Sequence, residues 1–200
     1  MDRPLDLRNV GEELDRAERL DVVVDPMRKL VDRLLPEGDL KTSLQGASLG
    51  HPVHPLLTDL PIGFWTSAWV LDLVGGRRSR PAADAFVGLG VLCALPTVAT
   101  GVADWTTLPR GKQRSGAIHA ASNLLATALY TASFLQRRRG QRIRGVALGM
   151  AGATAATVGG YLGGHLAFGG SGDTGERASD ATADGDESAF VPGGPLERIS

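Results

Sequence analysis

Four apolar stretches between residues 56 and 168, joined by short polar connections, limit this chain more than any other feature. They are 56–74 (LLTDLPIGFWTSAWVLDLV), 82–103 (AADAFVGLGVLCALPTVATGVA), 116–135 (GAIHAASNLLATALYTASFL) and 145–168 (GVALGMAGATAATVGGYLGGHLAF). Formal charge enters them only at Asp59, Asp72 and Asp84. A helix of about 20 residues, at about 1.5 Å per residue, spans the roughly 30 Å of a hydrocarbon core. None of the four has the charged stripe of a soluble amphipathic helix. The expected fold is therefore all-α: an integral membrane four-helix up-down-up-down bundle over 51–168. A soluble bundle of unusually apolar helices is the alternative, and the Ala/Gly-rich fourth stretch favours it most. The mean hydropathy of −0.02 conceals this pattern, because it averages the apolar middle with charged ends.

The connections set an orientation. GGRRSRP (75–81) and QRRRGQRIR (136–144) place Arg77, Arg78, Arg80, Arg137, Arg138, Arg139, Arg142 and Arg144 on one side. The opposite loop has Arg110, Lys112 and Arg114, and the arm and tail beside it lean acidic. The positive-inside bias puts the arginine loops in the cytoplasm, with both termini and the opposite face outside the membrane. The opening MDRPLDLRNVGEELDR has no apolar signal-peptide core. A net charge of −1 gives no footprint for nucleic acid, so the expected partner is the lipid bilayer.

The chain has four histidines. His51 and His54 precede the first stretch, His119 opens the third and His165 ends the fourth, so alternating spans bring all four to one rim. Asp104 arrives there from the second stretch, with Asp59 about one turn deeper. Proline biases the preceding residue toward extended geometry, so His51 and His54 are expected in a non-helical lead-in, with Pro55 at the first helical position. Pro61 and Pro96 are expected to kink the first two spans or open their backbone. The four imidazoles are candidate ligands for haem b or for a transition metal, with Asp59, Asp104 and Asn123 behind them. Interfacial hydrogen bonding and capping, without any ligand, is the competing reading. Asn123, four residues after His119, shares its helix face.

Other residues have simpler expectations. Gly159, Gly160, Gly163 and Gly164 form two interleaved G-x-x-x-G pairs, suited to helix contact within the chain or to an oligomer. Trp65, Trp69 and Tyr130 read as packing, Trp105 as an interface anchor, and Asp72 as an ion-pair partner at the arginine end. Cys93 is the only cysteine, so no disulfide can form within the chain. In the arm, residues 1–50, the segment PMRKLVDRLL (26–35) spaces its apolar residues as an amphipathic helix, lying on the membrane or over the bundle mouth. The tail, 169–200, is rich in Gly, Ser and acid and is expected to be disordered.

GHPVHPLLTDLPIGFWTSAWVLDL, ATGVADWTTL, AIHAASNLLATALYTASFLQRRR and GGYLGGHLAF together resemble the bacterial membrane family known as domain of unknown function 2231. The likeness covers roughly residues 20–168 and takes in His51, His54, Asp59, Asp104, His119, Asn123 and His165. It implies a four-span membrane domain without an established activity. Some relatives continue into a Rieske iron–sulfur module, which this chain lacks: it has one cysteine and no Cys-x-His pair. Three functions follow as expectations. The favoured one is a redox-associated subunit whose histidine face binds haem b or a metal and exchanges electrons with a Rieske-type or other redox protein. The others are a non-redox anchoring module, and a small transporter or channel using Asp59, His54 and Pro61.

Overall fold

The computed structural model describes residues 9–169, and those residues are all-helical apart from turns. The expectation for the tail lies outside them beyond residue 169. Three short helices make the arm: α1 (Val10–Arg16), α2 (Asp21–Leu34) and α3 (Asp39–Leu44). Four long ones follow: α4 (Val53–Val74), α5 (Arg80–Trp105), α6 (Arg110–Arg138) and α7 (Arg142–Phe168).

Connections too short for anything but a reversal join the long helices, so sequence neighbours pack antiparallel. α4 lies on α5, α5 on α6 and α6 on α7, and α7 closes back on α4. Gly140, at φ +73°, makes the tight α6–α7 reversal in a backbone region that favours glycine. Each long helix runs past its apolar stretch, and in α6 and α7 the added residues include arginine and glutamine, which are good helix formers.

By length and composition, two helices could cross a membrane: α5 with the turn before it (Arg77–Trp105), and α7. α4 and α6 fall short, since Asp59 and Asp72 in one and His119 and Asn123 in the other dilute their apolar content. The four expected spans are thus met at this level by two.

Much of what lies inside is small or polar, around a few large side chains. The Trp65 indole stacks on the Tyr130 ring at a centroid distance of 4.1 Å, and Gly90 and Gly152 leave room for the pair. Gln113, Ser115, Ser133 and the Arg137 guanidinium are buried, while Leu60, Ile62, Leu92, Leu124 and Met150 face outward. Trp69 is also exposed and does not pack as expected.

At the arginine end, Arg137 and Arg142 both reach Asp72 and Asp84. This four-residue ion cluster ties the ends of α4 and α6 to the starts of α5 and α7. The expected pairing of Asp72 is therefore present, and its partners come from the other arginine loop.

The amphipathic helix of the arm begins at Asp21, earlier than the expected 26–35, and continues through Pro26. Val24 and Val31 are buried with Trp105 and Ala117. The helix thus packs over the bundle end, as one of its two expected placements has it. Trp105 is covered by this helix and its Nε1 donates to the Gln113 carbonyl at 2.9 Å, so it is no exposed interface anchor.

Candidate functional site

The end of the bundle opposite the arginine cluster carries the histidines, but it does not gather them into one set. His54 and His119 are neighbours: their ring centroids lie 6.3 Å apart, edge to face. His54 stands in the first turn of α4, which begins at Val53, and not in the expected non-helical lead-in. Pro55 permits this because the N–H groups of a first turn have no helical acceptor to lose.

Each of these two imidazoles bridges helices through Nδ1. His54 Nδ1 donates to the Thr97 carbonyl of α5 at 2.9 Å. His119 Nδ1 donates to the Gly159 carbonyl of α7 at 2.8 Å. In the neutral rings this leaves the proton off Nε2. The Asn123 amide lies 3.2 Å from His119 Nε2 and donates to the His119 carbonyl at 3.0 Å, the within-helix pairing that the four-residue spacing implies. Asp104 is half-buried and interacts electrostatically with His54.

His165 faces elsewhere. Its Nε2 lies 2.9 Å from Asp15 Oδ2 of α1 and 2.9 Å from Lys112 Nζ at the start of α6. Lys112 also pairs with Asp15 at 3.1 Å, and the Ser115 hydroxyl sits between the Lys112 carbonyl and the Asp15 carboxylate. Burial pushes the Asp15 carboxyl up, but hydrogen bonds from Ser115, His165 and Lys112 outweigh it and hold the group below its ordinary value of 3.8. Gly11 packs so closely on the imidazole that a Cβ there would come within 2.4 Å of a ring atom. Next to this, Arg114 grips Asp21 with two nitrogens, at 2.7 and 2.8 Å, and Arg110 reaches Asp21 and Asp25.

The remaining candidates stand apart. His51 is exposed, and its ring makes no hydrogen bond or ion pair among the described residues. Asp59 is also exposed on α4 without such a partner. α4 does not break at Pro61, because the Thr97 hydroxyl approaches the Leu57 carbonyl that the proline leaves without its helical donor.

The expected four-histidine ligand set is thus divided: one interhelical pair, one ring in an ion cluster and one exposed ring. Among the described residues, no group of three or more His, Cys, Asp or Glu side chains could hold a metal ion. A flat haem does not fit between His54 and His119. Gly101, Gly159 and Gly163, whose missing side chains would leave room for it, are filled by His54, Asn123 and His119 themselves. Asp15, Lys112 and Thr97 are the residues that spacing alone missed. Only a proline that orphans a carbonyl on the next helix could have pointed to Thr97.

A family model described as a predicted membrane protein, DUF2231, matches residues 50–174. No curated protein and no solved structure matches the chain. More than half of the sequence falls within that one model, and the chain belongs to the DUF2231 family of predicted membrane proteins.

Proposed function

We propose that this chain is a four-span integral membrane module that acts as a non-redox anchor, holding its arm at one face of the bacterial plasma membrane. The distribution of side chains carries the reading. Many large aliphatic residues lie on the outside of the long helices, while glycine, alanine, serine, threonine and a paired arginine line the inside around Trp65, Tyr130, Val87 and Leu162. Lipid removes the drive to bury aliphatic surface and favours small and hydrogen-bonding residues between helices, whereas a water-soluble bundle has the reverse arrangement. The histidines suit an anchor as well: His54 and His119 act as clamps between helices, and His165 fastens α1. The arginine loops face the cytoplasm in this reading, and the arm lies outside.

Alkaline carbonate extraction of membranes, with cysteine labelling at positions 51, 78 and 165, tests it. The chain should stay in the membrane, with 51 and 165 labelled from one side and 78 from the other. Release into the aqueous fraction, or 51 and 165 on opposite sides, would end the proposal.

One observation favours a second reading. Both Nδ1 protons of the His54–His119 pair rest on backbone carbonyls, the arrangement that orients metal-bound imidazoles and leaves Nε2 without a proton, although the Asn123 amide would have to turn away from His119 Nε2 for it to ligate. On that reading the pair binds one late transition-metal ion, and electron exchange with a redox protein follows from it. Metal analysis and optical spectra of detergent-purified protein, parent against His54→Ala with His119→Ala, separate the two. Metal that co-purifies with the parent and is lost from the variant favours the second, and no metal in either favours the anchor.

A further inference from the structure

The arginine end carries more positive charge than its ion cluster neutralises. Arg137 and Arg142 are matched by Asp72 and Asp84. Arg144 donates to Gln141 Oε1 at 2.9 Å and has no carboxylate partner among the described residues. The same holds for the five other arginines of the two loops.

Beside this charge, on the outer face of the α6–α7 hairpin, Gln136, Arg144, Ala147 and Leu148 line an open groove of about 360 Å³. Its floor is aliphatic and Arg144 stands at the rim. Gln136 Oε1 has no hydrogen-bond partner among the described residues, although it is shielded from solvent. Ile143, which is 87% exposed, extends the apolar surface past the groove.

We propose that this groove binds an anionic phospholipid. An acyl chain lies along Ala147 and Leu148, and the phosphate meets Arg144. Charge complementarity selects this occupant. A zwitterionic lipid would bring its own cation into a region already in positive excess, and a free phosphate would leave the aliphatic floor bare. Juxtamembrane arginines attract anionic headgroups in this way. The inference rests on the membrane reading above.

Native mass spectrometry of the full chain in mild detergent, with phosphatidylglycerol or phosphatidylcholine added at equal concentration, tests it. The parent should retain phosphatidylglycerol about fivefold better, the effect of one well-placed arginine. Arg144→Gln should reduce retention to the phosphatidylcholine level. Ala147→Trp, which fills the groove without altering charge, should abolish it, with helix content by circular dichroism unchanged in both variants. Equal retention of the two lipids by the parent overturns the inference, and so does retention that survives Ala147→Trp or binding of inorganic phosphate alone. Carbonate extraction of the same preparations keeps the two claims apart. A chain that stays in the membrane without lipid preference sinks this inference only, whereas a chain that leaves the membrane sinks both.

Discussion

The Thr97 hydroxyl on α5 lies 3.2 Å from the Leu57 carbonyl on α4, the acceptor that Pro61 leaves without its helical N–H. The same hydroxyl is 2.8 Å from the Cys93 carbonyl of its own helix, so its one proton is shared between the backbones on the two sides of the α4–α5 contact. The proline therefore does not break α4. It creates a site that the neighbouring helix repairs.

Thr97→Val keeps the shape and removes the hydroxyl. It should destabilise the protein in detergent by about 1 kcal/mol, typical of one interhelical hydrogen bond. In a Pro61→Ala background the restored N–H satisfies Leu57, and the loss should shrink by half or more. Thermal unfolding of the four proteins in this cycle measures the coupling, and simple additivity would falsify the repair.

The arm should be held by carboxylates rather than by histidine charge. Asp15 lies below its ordinary 3.8 for the reasons given above, and Asp21 is held low by Arg114 and then Arg110. A carboxyl lowered in the folded state contributes stability that is complete above its unfolded value and is lost as pH falls through the lowered one. Hydrogen exchange across α1 should thus stay slow from neutral pH to about 5 and accelerate only below 3.8. Asp15→Asn should loosen α1 at neutral pH. Loosening of the parent at any pH above 5 would contradict the role given to Asp15 and Asp21.

Breaking the arginine-end cluster from one side should be costly. Arg137 has 2% of its side chain exposed and Asp72 has 5%, so Arg137→Gln leaves two carboxylates, one of them buried, to share Arg142 alone. The expected loss is about 3–5 kcal/mol. Arg142 is 21% exposed, and Arg142→Gln should cost less because water reaches that position. Adding Asp72→Asn to Arg137→Gln should recover part of the stability. Denaturation midpoints of the series decide this, and equal losses for the two arginines would contradict it.

The interleaved glycines should behave as two classes. A Cβ at Gly159 would come within 2.7 Å of the Asn123 amide, whereas at Gly160 or Gly164 it would meet nothing within 4 Å. Gly159→Ala should destabilise by about 1–3 kcal/mol, as overpacking does. Gly160→Ala and Gly164→Ala should be neutral or slightly stabilising, since alanine is the better helix former. Thermal melts of the single variants test the assignment, and a penalty at Gly160 matching that at Gly159 would refute it.

Periodicity and hydropathy made much of this legible. They located four long helices to within a few residues, placed Asp72 against arginine, and paired Asn123 with His119. These are local signals, carried by spacing along one segment. The partner of His165 was not legible, because Asp15 is 150 positions away and nothing in the arm marks it among several aspartates. The gathering of four histidines failed for a related reason. Chain order fixes the depth at which a side chain lies but not the direction in which it points. At equal depth, His119 turns toward Gly159 while His165 turns toward Asp15 and Lys112. Pro55 misled as well, since a proline near a helix start is tolerated anywhere in the first turn.

The docking of α1 and α2 crosses the edge of the family segment. Asp15, Asp21, Val24 and Val31 precede residue 50, and all of them rest on side chains that follow it. A variant cut back to the family boundary would keep all four long helices. It would also uncover Trp105 and leave Arg110, Lys112 and Arg114 facing one another without counterions. Preparations meant to represent the native protein should therefore begin before α1.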